Sequence, residues 1–146
     1  MTVPEPDVVA LCSALIAIDS SKYGHTGSRG ERAAADYVAE QVHRAGYETL
    51  LMESEPTRAN LVLRVTGTDP TLPGLLVHGH LDVVPAVAEQ WSVPPFEGRV
   101  EGGYVWERSA TDMKDMVAMM VATLQRWARD GVRPRHDVVF AFVADE

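Results

Sequence analysis

The reading of the fold turns on residues 75–84, "LLVHGHLDVV". Leu and Val flank the polar residues on both sides, a composition that suits a central sheet strand covered on both faces. His78, His80 and Asp82 are spaced two apart, so on a strand they share one side. Polar groups buried on such a strand need partners, because burial without them costs several kcal/mol. A metal ion meets that need for an imidazole, and a carboxylate two residues on can hold a ligating ring in its tautomer. A hydrogen-bonded core histidine beside a buried Asp meets it equally well, and spacing alone does not say which His would bind.

The surrounding pattern sets the fold class. Val8, Leu11, Cys12, Leu15 and Ile18 recur three and four apart and predict a first amphipathic helix. The loop "SSKYGHTGSRG" follows; Ser28 and Glu31 then form a capping-box pattern for a second helix. Gly46 closes that helix, and Val38, Val42 and Ala45 mark its buried side. "YETLLM", "NLVLRV" and "GYVW" read as strands, with a Pro- and Gly-bearing turn at "TGTDPTLPG". Met113, Met116, Val117, Met120, Val121, Leu124 and Trp127 draw one core-facing stripe along a helix ended by Gly131. "HDVVFAFVA" is a last buried strand, and Asp145 and Glu146 stand at its end. Helices alternating with strands predict an α/β three-layer sandwich with a mixed, partly parallel sheet.

Composition bounds the function. A chain of 146 residues with 46% apolar residues can bury a core. Its net charge of -8 argues against nucleic acid or an anionic membrane surface as partner. Cys12 is the sole cysteine, which rules out an intrachain disulfide or a thiolate cluster, and its apolar neighbours predict a buried, inert thiol. No signal-peptide pattern and no apolar run of about 20 residues is present, so a cytoplasmic protein is expected. No strand leads into a G-x-G-x-x-G turn or a Gly-Lys-Ser/Thr phosphate loop, which leaves a nucleotide-binding domain without support.

Ligands of open α/β sheets bind outside the carboxyl ends of the strands. If "LLVHGHLDVV" and "HDVVFAFVA" are parallel neighbours, His80, Asp82, Asp145 and Glu146 converge on one crevice. Asp112, in "RSATDMKD", lies where a helix begins, and either a helix cap or a ligand accounts for it. Asp115 in the first turn is explained by the helix dipole. A His with Asp and Glu oxygens suits Zn²⁺ or Mn²⁺ better than a soft metal.

"GHLDVVP", "WSVPPF", "ATDMK" and "ADE" occur in series over residues 79–146. In order and spacing they resemble the metallopeptidase family of aminoacylase, acetylornithine deacetylase, succinyl-diaminopimelate desuccinylase and carboxypeptidase G type. The resemblance makes His80 a ligand of one metal, Asp82 the carboxylate that orients it, and Asp112 a bridge between two metals followed by a cis peptide. Glu146 becomes the general base, His78 matches no ligand, and Trp91, Pro95 and Phe96 match a segment packed near the site. It implies two Zn²⁺ per active site, with Co²⁺ or Mn²⁺ as alternatives, and an N-acyl amino acid or small peptide as substrate. Glu107 and Ser109 stand where the family usually has glycines, whose backbone freedom Glu and Ser lack.

The family's next residue, a second Glu ligand, would follow Glu146. Residues 1–146 are therefore expected to be the N-terminal part of a catalytic domain, its sheet incomplete at the C-terminal side. The remainder and a lid or dimerisation domain would lie elsewhere, and a homodimer is compatible with the complete enzyme. Two functional readings follow: part of a dinuclear zinc amidohydrolase, or, for these residues alone, a non-catalytic truncated remnant.

Overall fold

The computed structural model describes residues 7–23 and 29–145. Helix α1 (Val8–Ile16) starts on Asp7, whose Oδ1 accepts from the Ala10 amide at 3.0 Å, and buries Leu11, Cys12, Leu15 and Ile16. The Cys12 thiol is buried and its pKa is raised by that burial, in keeping with an inert role. Helix α2 (Arg32–Arg44) buries Ala34, Ala35, Val38 and Val42, and Gly46 at φ 93 follows its C-cap. Ala45, expected on the buried side, is only half-buried. The capping box is a correction. Ser28 lies outside the described residues, and the Glu31 side chain makes no cap bond but is fully buried.

Strands β1 (Leu50–Glu55) and β2 (Arg58–Val65) form an antiparallel hairpin, and β2 pairs antiparallel with β6 (Val138–Val143). β3 (Leu75–His80) runs parallel to β6, giving a mixed sheet of order β1-β2-β6-β3. The expected partly parallel α/β sheet is therefore present. Helix α3 (Lys114–Asp130) ends at Gly131, φ 66, where a left-handed residue satisfies the terminal carbonyls. Its Trp127 meets Phe140 of β6 edge to face. One core joins α1, α2 and α3 to Ala59, Leu61 and Leu63 of β2 and to Val138, Phe140 and Phe142 of β6. The opposite sheet face, with Val62, Arg64, Val139 and His78, is half-buried or exposed, so a second helical layer is not among the described residues.

Two strand expectations need correction. β3 is an edge strand here, not a central one: Leu75 and Leu76 are 54% and 61% exposed, and only Gly79 and His80 are buried. Its composition matches a covered strand, but among the described residues only β6 pairs with it. "GYVW" contributes a two-residue strand, β5 (Tyr104–Val105), which pairs with β4 (Val100–Glu101) as a separate ribbon. Met116, placed on the core stripe, is 46% exposed because α3 overhangs the open side of β3.

Candidate metal centre

The parallel pairing aligns His80 with Val143, so β3 and β6 end side by side, and the Leu81 amide donates to Val143 O at 2.8 Å. Beyond β3 the chain leaves the sheet and bridges to the segment after α1. Ser21 pairs with Val83, and Ser20 Oγ donates to Leu81 O at 2.6 Å. Asp82 consequently lies off the strand, but it still turns back on His80.

The His80 ring is 8% exposed and held from both ends. Its Nδ1 lies 3.1 Å from the Asp82 carbonyl oxygen, to which it donates, and 3.1 Å from Asp82 Oδ1. Nε2 is 3.1 Å from Asp112 Oδ1. With the Nδ1 proton committed to Asp82, Nε2 of the neutral ring is an acceptor that faces another acceptor. Such a pair needs a cation between its members, either a proton or a metal ion. Burial pushes the His80 pKa down, yet the hydrogen bonds to the Asp82 carbonyl and the Asp112 carboxylate outweigh it and raise the pKa overall. Burial also raises the pKa of the Asp82 carboxyl, and its buried Oδ1 accepts no hydrogen bond. The chemistry of these groups fits a divalent cation: one imidazole nitrogen, one carboxylate beside it, and a second carboxylate behind the ring.

Asp112 reaches this position from a short loop ahead of α3. It is not the helix cap, since α3 begins after Met113 without a side-chain cap bond; the Asp112 side chain is 72% exposed and touches His80. The peptide bond that follows it, Asp112–Met113, is cis, as the resemblance implies. Glu107 and Ser109 adopt φ 108 and 67, the left-handed conformations that glycine tolerates freely and that cost other residues about 1–3 kcal/mol each. Trp91 and Pro95 do pack near this loop: the Arg108 guanidinium lies 4.9 Å from the Trp91 ring centroid, and the Arg108 amide donates to Pro95 O at 3.1 Å.

The remaining predicted site residues are spread more widely. His78 shares the sheet face of His80 but is exposed. Glu146 lies outside the described residues. Asp145, just before it, is gripped by Lys22 Nζ through both carboxylate oxygens and by Arg58 Nη2 at 3.2 Å. The bond from Lys22, reinforced by Arg58, lowers the Asp145 pKa. Arg58 also stands 3.5 Å from the buried Glu31, whose pKa is raised by burial and whose oxygens accept no hydrogen bond. Among the described residues, no three His, Cys, Asp or Glu side chains converge as a metal-binding group.

Sequence reasoning missed three of these features. Lys114, in the first turn of α3, is fully buried; its Nζ donates to Leu15 O at 2.8 Å and Ile18 O at 2.5 Å. Its spacing of three and seven from Val117 and Val121 was the available signal. The Lys22–Asp145–Arg58 clamp, and the Glu107 carboxylate that accepts from the amides of Glu97, Gly98 and Arg99, join residues far apart or across a loop, and no local pattern announces them.

The described residues thus form a mixed α/β sheet with His80 at the end of β3 against Asp112 of the loop ahead of α3. Residues 76–146 match the model of peptidase family M20/M25/M40. Aminoacylase-1 of Sus scrofa is 34% identical over 115 residues, 78% of this chain and 28% of the relative. The M20 family metallo-carboxypeptidase Sso-CP2 of Sulfolobus solfataricus superposes with a TM-score of 0.79 at 19% identity, covering 96% of this chain and 31% of its own. Human carnosine dipeptidase 1 also gives 0.79 at 19% identity, over 95% of this chain and 32% of its own. The chain thus spans less than a third of the length of each. No helix among the described residues is long and apolar enough to cross a membrane.

Proposed function

We propose that these residues supply part of the active site of a metal-dependent amide hydrolase acting on N-acyl amino acids or small peptides. The observation that carries this reading is the His80–Asp112 pair: two acceptors 3.1 Å apart, one at the carboxyl end of β3 and one on the loop ahead of α3. The sequence similarity to aminoacylase-1 and to peptidase family M20/M25/M40 supports it. His80 would bind through Nε2, Asp82 would keep the proton on Nδ1, and Asp112 would bridge to a second cation. When bound, two zinc ions would lower the pKa of a shared water and polarise the scissile carbonyl. Glu146 would take the proton from that water and deliver it to the leaving amine, general acid–base work worth about 10²–10⁴-fold in rate.

A second reading takes the 146 residues on their own as non-catalytic. Its support is that only two candidate first ligands converge among the described residues, whereas catalytic zinc usually has three protein ligands. The two readings separate by experiment. Calorimetric titration of the 146-residue chain with Zn²⁺ should show no tight site, and a submicromolar one would overturn the non-catalytic reading. In the chain joined to the rest of such a domain, zinc-dependent hydrolysis of N-acyl amino acids is expected. Activity unchanged by Glu146→Gln would reject the assigned base.

A further inference from the structure

The Glu107 side chain is not idle where a glycine is usual. Its residue is only 9% exposed, and its carboxylate accepts three successive backbone N–H groups: Glu97 at 2.6 Å and Gly98 at 2.5 Å on Oε2, and Arg99 at 3.1 Å on Oε1. Consecutive amides curled round one point by a left-handed residue form an anion-binding nest, and Gly98, at φ 70, supplies that residue. Gly98 is also hemmed in: a Cβ there would stand 2.3 Å from Ser13 O, while Ser13 Oγ donates to Gly98 O at 2.5 Å. The nest is therefore fixed to α1.

The other end of the loop is fixed to α1 as well. Lys114 donates its amide to Ser109 O at 3.2 Å and its Nζ to the carbonyls of Leu15 and Ile18. Asp112 is held between these two anchors. We infer that loop 97–99 is an intrachain carboxylate site filled by Glu107, and that this anion holds the Asp112 loop in its left-handed path with Asp112 against His80. Glu107 is thus a positioning residue, its side chain supplying what glycine supplies by backbone freedom. The inference about Asp112 rests on the metal-centre reading above; the nest itself does not.

The test uses the whole chain. In the wild type, hydrogen exchange at the amides of Glu97, Gly98 and Arg99 should be slowed well below free-peptide rates. Exchange at exposed-loop rates would overturn the nest whatever metal does. In Glu107→Ala the three amides should lose protection, and added formate should restore it saturably, with the Gly98 amide resonance moving back toward its wild-type position. Without metal, the His80 ring nitrogen resonances in Glu107→Ala should shift to those of Asp112→Asn; unchanged resonances with an emptied nest would overturn the positioning role. Zinc affinity, read by titrating the His80 ring signals, should fall about tenfold or more. Formate should recover it, with wild-type chain in the same buffer correcting for zinc complexed by formate. Should Glu107→Ala not fold, Glu107→Gln, which keeps the shape and loses the charge, should show partial loss of protection; full protection would count against a charged occupant. Wild-type zinc binding indifferent to His80→Ala would sink the metal reading and leave the nest standing.

Discussion

β6 and β3 are parallel neighbours built from the same kinds of residue, yet they live in different environments. β6 is covered on its core face along its whole length, with Phe140 and Phe142 at 3% and 0% exposure. β3 begins exposed at Leu75 and Leu76 and is buried only at Gly79 and His80, where it meets the loop that carries Asp112. Both strands read from sequence as buried. Strand burial belongs to the assembly of neighbours, not to a run of apolar residues. The candidate site lies at the one end of β3 that is buried.

That contrast can be broken by substitution. Phe142→Ala should lower unfolding stability by about 3–5 kcal/mol, as expected of an aromatic removed from a closed core. Leu76→Ala on the facing strand should cost no more than about 0.5 kcal/mol. Equal losses in denaturant titrations would mean that β3 is covered in solution.

A charge on the covered side sharpens it next. Burial lowers the Lys114 pKa from 10.5 to about 8. Between these values the unfolded chain binds more protons than the folded one, so folding stability should rise with pH over that window and fall as pH drops through about 8. The gain is on the order of 3 kcal/mol. It should vanish in Lys114→Met, so the stability difference between the two chains measured at pH 7.5 and pH 10.5 isolates it. A constant difference would mean that the two carbonyls keep Lys114 charged at no cost.

The smallest effect concerns the open edge. An unpaired apolar edge strand invites pairing between chains, and a charge there discourages it. Leu76→Lys should leave stability within about 0.5 kcal/mol and reduce concentration-dependent association in sedimentation. Association unaffected by the charge would place the contact elsewhere.

Periodicity was enough to find α1, α2 and α3, and apolar runs were enough to find β2 and β6, because one face of each is closed by its partners. Gly46 and Gly131 announced the ends of their helices because those positions need positive φ. The exposure of β3 was not legible, since its sequence does not encode which neighbours stand beside it. Nor was the inward turn of Glu31, which satisfies a capping pattern yet points toward Arg58. Within the site, spacing marked His78, His80 and Asp82 alike and left Asp112 as cap or ligand; only the resemblance singled out His80, Asp82 and Asp112, and the structure places these three side by side. The devices that hold them in place, the Glu107 nest and the Lys114 anchor, depend on backbone groups 8–10 and 96–99 residues away.

The central claim is that His80 and Asp112 share a cation at the joined ends of β3 and β6. Zinc-edge anomalous diffraction from crystals of the chain soaked in Zn²⁺ tests it most directly. The expected result is a peak within ligand distance of both His80 Nε2 and the Asp112 carboxylate, absent from Asp112→Ala crystals. A peak confined to His43, His78 or His136, with the His80–Asp112 contact bridged by a proton alone, would contradict it.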